Sequence, residues 1–103
     1  MVKIVPVGEG VSPHSPFFTT RSELDKVINS GENLADAFGL PKVSESINYS
    51  VLEIEAKTSA EVFVSIVAPT AEGLTTRPGG ALQYLVPDRT LWSEAKFLEN
   101  ISN

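Results

Sequence analysis

The chain has 103 residues, 42% of them hydrophobic and 20% charged, with a net charge of −5 and no cysteine. That length suits a single domain over residues 1–103, and the composition is too apolar for a disordered chain. Without cysteine there is no disulfide, thiol nucleophile or Cys-based zinc site, and the negative charge opposes nucleic-acid binding. The apolar runs are far too short to span a membrane, and no targeting segment is expected.

In chain order, "VKIVPVGEGV" predicts a short or edge strand, because Pro6 cannot donate to a β-ladder. "SPHSPFFTT" reads as an irregular loop carrying the adjacent aromatics Phe17 and Phe18. Thr20 followed by Glu23 matches a capping box and predicts a helix with Leu24, Val27 and Ile28 on one face, ending near Gly31. A second helix is predicted in "SGENLADAFGLP", with Leu34, Ala37 and Phe38 on one face and Gly39 and Pro41 as its stop.

From Ile47 the chain turns rich in Val and Ile. "INYSVLEIEA" and "EVFVSIVA" predict two strands, and the short "KTSA" between them predicts that they pair as an antiparallel hairpin. "PTAEGLTTRPGG" lacks periodicity and predicts a long mobile loop. "ALQYLVP" is a further strand, and the ambiguous tail "DRTLWSEAKFLENISN" is read as a last strand. The expected core comprises Leu34, Phe38, Val51, Val62, Val64, Ile66, Leu82 and Tyr84.

Few constellations carry chemistry. His14, the only histidine, stands between two prolines and reads as a surface residue, so no metal site is expected. Glu53 and Glu55 would project from one strand face, where two solvated carboxylates are the simpler interpretation. Phe17 and Phe18 precede a helix N-terminus, which favours anions; Arg21 in that first turn has the wrong sign for the helix dipole unless an anion offsets it. Gly79 and Gly80 allow a tight turn and close approach of a ligand, and Gln83 just beyond them bears an amide that donates and accepts but does not titrate.

Residues 39–88, from "GLP" through "VFVSIVAP" to "RPGGALQYLVPD", resemble the NAD glycohydrolases of the tuberculosis necrotizing toxin type. There a "GGG-x-Q-Y" strand follows an "AP" strand end and its Gln is a catalytic-site residue; Gln83 matches it, with Ala81 in place of the third glycine. The resemblance implies an α+β, ADP-ribosyltransferase-like fold with short N-terminal helices ahead of a mostly antiparallel β-sheet. It also implies NAD or NADP as substrate, delivery into a target cell as part of a secreted effector, and a cognate immunity protein. The family's N-terminal Arg has no direct match: Arg21 fills that role, Lys3 on the first strand substitutes for it, or the site is incomplete.

The implied site has Gln83 and Arg21 as catalytic residues and Phe17, Phe18, Gly79, Gly80 and Lys3 as substrate-binding residues, with Glu53 and Glu55 in reserve. The alternatives are an ADP-ribosyltransferase acting on a macromolecule and a non-enzymatic module that engages a partner through Phe17, Phe18 and the mobile "PTAEGLTTRPGG" loop.

Overall fold

The structure is a computed structural model that describes residues 1–103. In chain order the elements are β1 (Val2–Pro6), β2 (Phe17–Phe18), α1 (Arg21–Ser30), α2 (Leu34–Ala37), β3 (Asn48–Glu53) and β4 (Phe63–Ile66). They are followed by β5 (Thr70–Glu72), β6 (Thr75–Arg77), β7 (Leu82–Leu85) and β8 (Lys96–Ser102). The strands form three antiparallel sheets, ordered β1-β3-β8, β2-β7-β4 and β5-β6. This corrects the expected fold class: the chain forms small, mostly antiparallel sheets with only two α-helices, and no ADP-ribosyltransferase-like fold is present. No helix is long and apolar enough to cross a membrane.

The physical reason lies in what β3 pairs with. The "KTSA" hairpin does not form, because β3 is bonded on one side by β1 and on the other by β8. The segment after β3 also runs along the tail: Lys57 donates to the Leu91 carbonyl at 2.8 Å, and Ser93 donates to that of Glu55 at 2.7 Å. β4 instead pairs with β7, with Ser65 opposite Gln83. Pro6 is tolerated because β1 is an edge strand.

The segment expected as a mobile loop is the β5–β6 hairpin, closed by Gly73 and Leu74. Arg77 anchors it. Only 5% exposed, its guanidinium donates to the Leu40 carbonyl at 2.7 Å and to Asp36 Oδ1 and Glu45 Oε2 at 3.0 Å each. Burial disfavours the charged guanidinium, but the hydrogen bonds and charges of Glu45 and Asp36 more than offset that and raise its pKa.

Helix α1 follows its local signals. Thr20 Oγ1 accepts from the Glu23 amide at 3.1 Å, as an N-cap should. The return half of the capping box is absent, because buried Glu23 turns away and its Oε2 accepts from Leu82 N at 2.8 Å. Glu23 thus ties α1 to the first residue of β7. Glu23→Ala leaves that amide unpaired and should cost about 1–3 kcal/mol, read from a denaturant midpoint, while Glu23→Gln keeps an acceptor and loses less.

The main core gathers Val2, Ile4, Leu24, Val27, Leu34, Ala37, Tyr49, Val51 and Ala81 between the helices and the β1-β3-β8 sheet. A smaller one holds Phe18, Ile54 and Val86. Of the expected core, Leu34 and Val51 are buried, while Phe38, Val62, Leu82 and Tyr84 are half-buried. Val64 and Ile66 are corrected to the surface, 54% and 67% exposed, because no element covers β4. Alternation identifies a strand, but not whether anything packs over it.

Candidate functional site

The two three-stranded sheets meet where Val2 and Thr19 exchange backbone hydrogen bonds of 2.8 and 2.9 Å. β2 then continues along β7, with Phe17 opposite Leu85 and Phe18 opposite Tyr84. This junction opens a cleft of about 600 Å³ whose walls include Lys3, Phe17, Leu40, Val67 and Gln83. It shares Lys3, Phe17, Phe38 and Gln83 with an inner recess of about 60 Å³ that reaches Phe18, Thr19 and Leu24. The cleft lies within the range of small-molecule sites, and its inner end is mostly apolar.

Four of the residues singled out in the sequence, Lys3, Phe17, Phe18 and Gln83, come together here. Phe17 stands at the mouth, 51% exposed, and Phe18 is buried at 4%. Adjacent residues on a strand point to opposite faces, so one ring is free for a ligand and the other is structural. The burial of Phe18 corrects its expected role in partner contact. The Gln83 amide nitrogen donates to Ser65 Oγ at 3.2 Å across the β4–β7 ladder, which leaves the amide oxygen to accept from a ligand.

Lys3 is the only cation among the cleft-lining residues, and Glu9 the only carboxylate. Lys3 Nζ donates to the Phe17 carbonyl at 2.9 Å and lies 5.6 Å from the centre of the Phe18 ring. Arg89 is 5.0 Å from the same ring, behind the Ser12–Ser15 loop, and Nη1 donates to the carbonyls of Ser12 and Ser15 at 2.8 Å each. Burial, then the charge of Arg89, lowers the Lys3 pKa. Burial lowers that of Arg89, whose Nε is buried without a hydrogen-bond partner.

The contrast with the other two arginines is informative. Arg21 and Arg77 are each held by two carboxylates, whereas neither Lys3 nor Arg89 makes an ion pair. In a chain with a net charge of −5, two neighbouring cations without counterions create a local positive field.

The remaining expected residues lie elsewhere. Arg21 is bound to Asp25 and Glu99 at 3.0 Å each, outside the cleft. Gly79 and Gly80 line a separate hollow of about 170 Å³ with Glu23 and Lys26 instead. Glu53 ends β3 opposite Val2, and Glu55 is exposed beyond the strand, its amide bonded to Ser93; neither lines the cleft. His14 is exposed, and no cluster of three or more His, Cys, Asp or Glu is grouped to hold a metal.

Sequence reasoning missed Arg89, which carries no local motif and reaches the site only through the fold. It also missed Leu40, whose "FGLP" context reads as a helix stop although it forms a cleft wall. Comparisons with protein-family models, with curated proteins and with solved structures find no match to this chain.

Proposed function

We propose that the cleft binds NAD or NADP and hydrolyses the bond between nicotinamide and ribose. The observation that supports this most is that Lys3, Phe17 and Gln83, from three separate strands, line one cavity of dinucleotide scale, with Phe18 at its inner recess. Exposed Phe17 offers a stacking face for the nicotinamide, and the positive charge of Arg89, which no carboxylate pairs, suits the pyrophosphate.

The C–N bond breaks with its electron pair going to the nicotinamide nitrogen, leaving a ribosyl cation. Water adds to that carbon and sheds a proton, giving ADP-ribose, nicotinamide and H⁺. The Gln83 oxygen would accept from a ribose hydroxyl and fix the ring while charge develops, so that positioning and electrostatics carry the rate. This route needs no covalent nucleophile.

The test is to incubate purified protein with NAD, and separately with NADP, and to quantify nicotinamide and ADP-ribose. Equimolar release of both is expected. Nicotinamide without free ADP-ribose, together with a labelled acceptor, would indicate transfer to a macromolecule. No nicotinamide from either substrate would overturn the proposal.

A toxin acting this way needs a cognate immunity protein in the cell that makes it, and bacterial growth should be restored by co-expressing that partner. A separate observation favours an interaction module: all four residues of β4 are exposed, including Phe63 and Ile66, and one edge is unpaired, as a strand-adding partner would require. That role alone predicts no turnover of either dinucleotide.

A further inference from the structure

We propose that Lys3 is a reactive amine that captures small phosphorylated aldehydes as imines inside the cleft. The inference depends on the geometry around Lys3 and not on cleavage of NAD. Of the five lysines, Lys26, Lys42, Lys57 and Lys96 are exposed, and only Lys3 is half-buried on a cavity wall. Its Nζ is held by one hydrogen bond to the Phe17 carbonyl, a contact that the neutral amine can keep through an N–H while its lone pair stays free.

The charged groups around it favour the neutral form. Arg89 approaches the same Phe18 ring, no carboxylate forms an ion pair with Lys3, and Glu9 is the only carboxylate among the lining residues. Desolvation and a neighbouring cation are the two conditions that activate a lysine for Schiff-base chemistry. Both lower the pKa here, burial being the larger cause. Arg89 keeps its charge when Lys3 gives up its own, so the field at the amine favours an aldehyde that carries a phosphate. The cavity of about 600 Å³, with the exposed Phe17 ring at its mouth, has room for a ring-sized carbonyl compound.

In the reaction the Nζ lone pair attacks the aldehyde carbon and the carbonyl π electrons move to oxygen, which takes up the proton released by nitrogen. Loss of water from this carbinolamine gives the C=N bond. Borohydride then delivers hydride to the imine carbon, nitrogen takes a proton from water, and the adduct becomes a permanent secondary amine.

The experiment uses the intact protein, limiting pyridoxal 5′-phosphate, a borohydride quench, and mass spectrometry with fragmentation that resolves Lys3 from the Met1 α-amine. Lys3 is expected to label about ten-fold faster than any of the four exposed lysines. Pyridoxal without the phosphate should label it several-fold more slowly. Lys3→Arg, confirmed as folded by thermal melting, should lose the fast phase. Labelling of Lys3 no faster than Lys26, or a fast phase that survives in Lys3→Arg, overturns the proposal; equal rates with pyridoxal and its phosphate overturn the preference for an anion. NAD turnover is measured separately, so fast labelling without turnover leaves this proposal standing while the hydrolase falls.

Discussion

Gly79→Ala is expected to destabilise the protein by about 3 kcal/mol, as strained backbone and overpacking combine at one position. Gly79 has φ +69°, which a residue with a Cβ adopts at a cost, and that Cβ would lie 2.4 Å from the Val67 carbonyl oxygen and 2.8 Å from that of Ala68. Both neighbours are backbone atoms that no rotamer change can move. The Gly79 amide also donates to the Asp36 carbonyl at 2.9 Å, and the Gly80 amide to that of Val67 at 2.9 Å, so shifting the turn breaks further bonds. Gly80→Ala is the control: its φ is +103° but nothing lies within 4 Å of the added atom, and the loss should be about 1 kcal/mol, from backbone strain alone. Urea midpoints of the two variants give the comparison. Equal midpoints would mean that the turn relaxes around the new methyl and that Gly79 is not specifically required.

This contrast gives the Gly79-Gly80 pair a different role from admitting a ligand. Gly79 lets the chain pass tightly against the end of the β4 arm and the α2 carbonyl of Asp36, which sets where β7 begins and therefore where Gln83 stands. The glycines act on the cleft through the strand that follows them.

What could be read from the sequence was local. Thr20, Glu23 and the helical spacing of Leu24 and Val27 define α1, and the apolar "ALQYLV" run identifies β7, whereas the tail that forms β8 is ambiguous in sequence because polar residues interrupt its apolar ones. Partner choice was not legible, because β3 is flanked by strands from opposite ends of the chain and a four-residue gap looks like a hairpin until the 55–57 segment is seen to pair with the tail. The β5–β6 hairpin lacks alternation, and it is anchored by the hydrogen bonds and ion pairs of the buried Arg77 guanidinium rather than by an apolar face. Lys3, Phe17 and Gln83 were each visible as unusual residues, but their meeting depends on the Val2–Thr19 bridge and on β2 joining β7. Arg21 stands out in the sequence because it sits beside a helix start, yet Asp25 and Glu99 hold it outside the cleft.

Gln83→Ala should leave melting almost unchanged and lower NAD cleavage by about 100-fold or more, the scale on which loss of positioning acts. The side chain is half-buried on a cleft wall, and its only protein hydrogen bond is to Ser65 Oγ, so little packing is lost with it. Gln83→Glu separates the parts of the effect. It keeps the shape and the acceptor oxygen, and Ser65 can donate to the carboxylate, so the ribose contact survives. The added negative charge should weaken dinucleotide binding near its phosphates and raise KM, while a ribosyl cation gains a neighbouring counter-charge that partly preserves kcat. Ser65→Ala tests the support: freeing the amide should cost less than removing it. Nicotinamide release by the wild type and the three variants, with KM and kcat resolved and thermal melts run alongside, provides the measurement. If the wild type turns over NAD and Gln83→Ala does so at the same rate, the amide is only a strand residue facing Ser65, and the catalytic role assigned to Gln83 has to be given up.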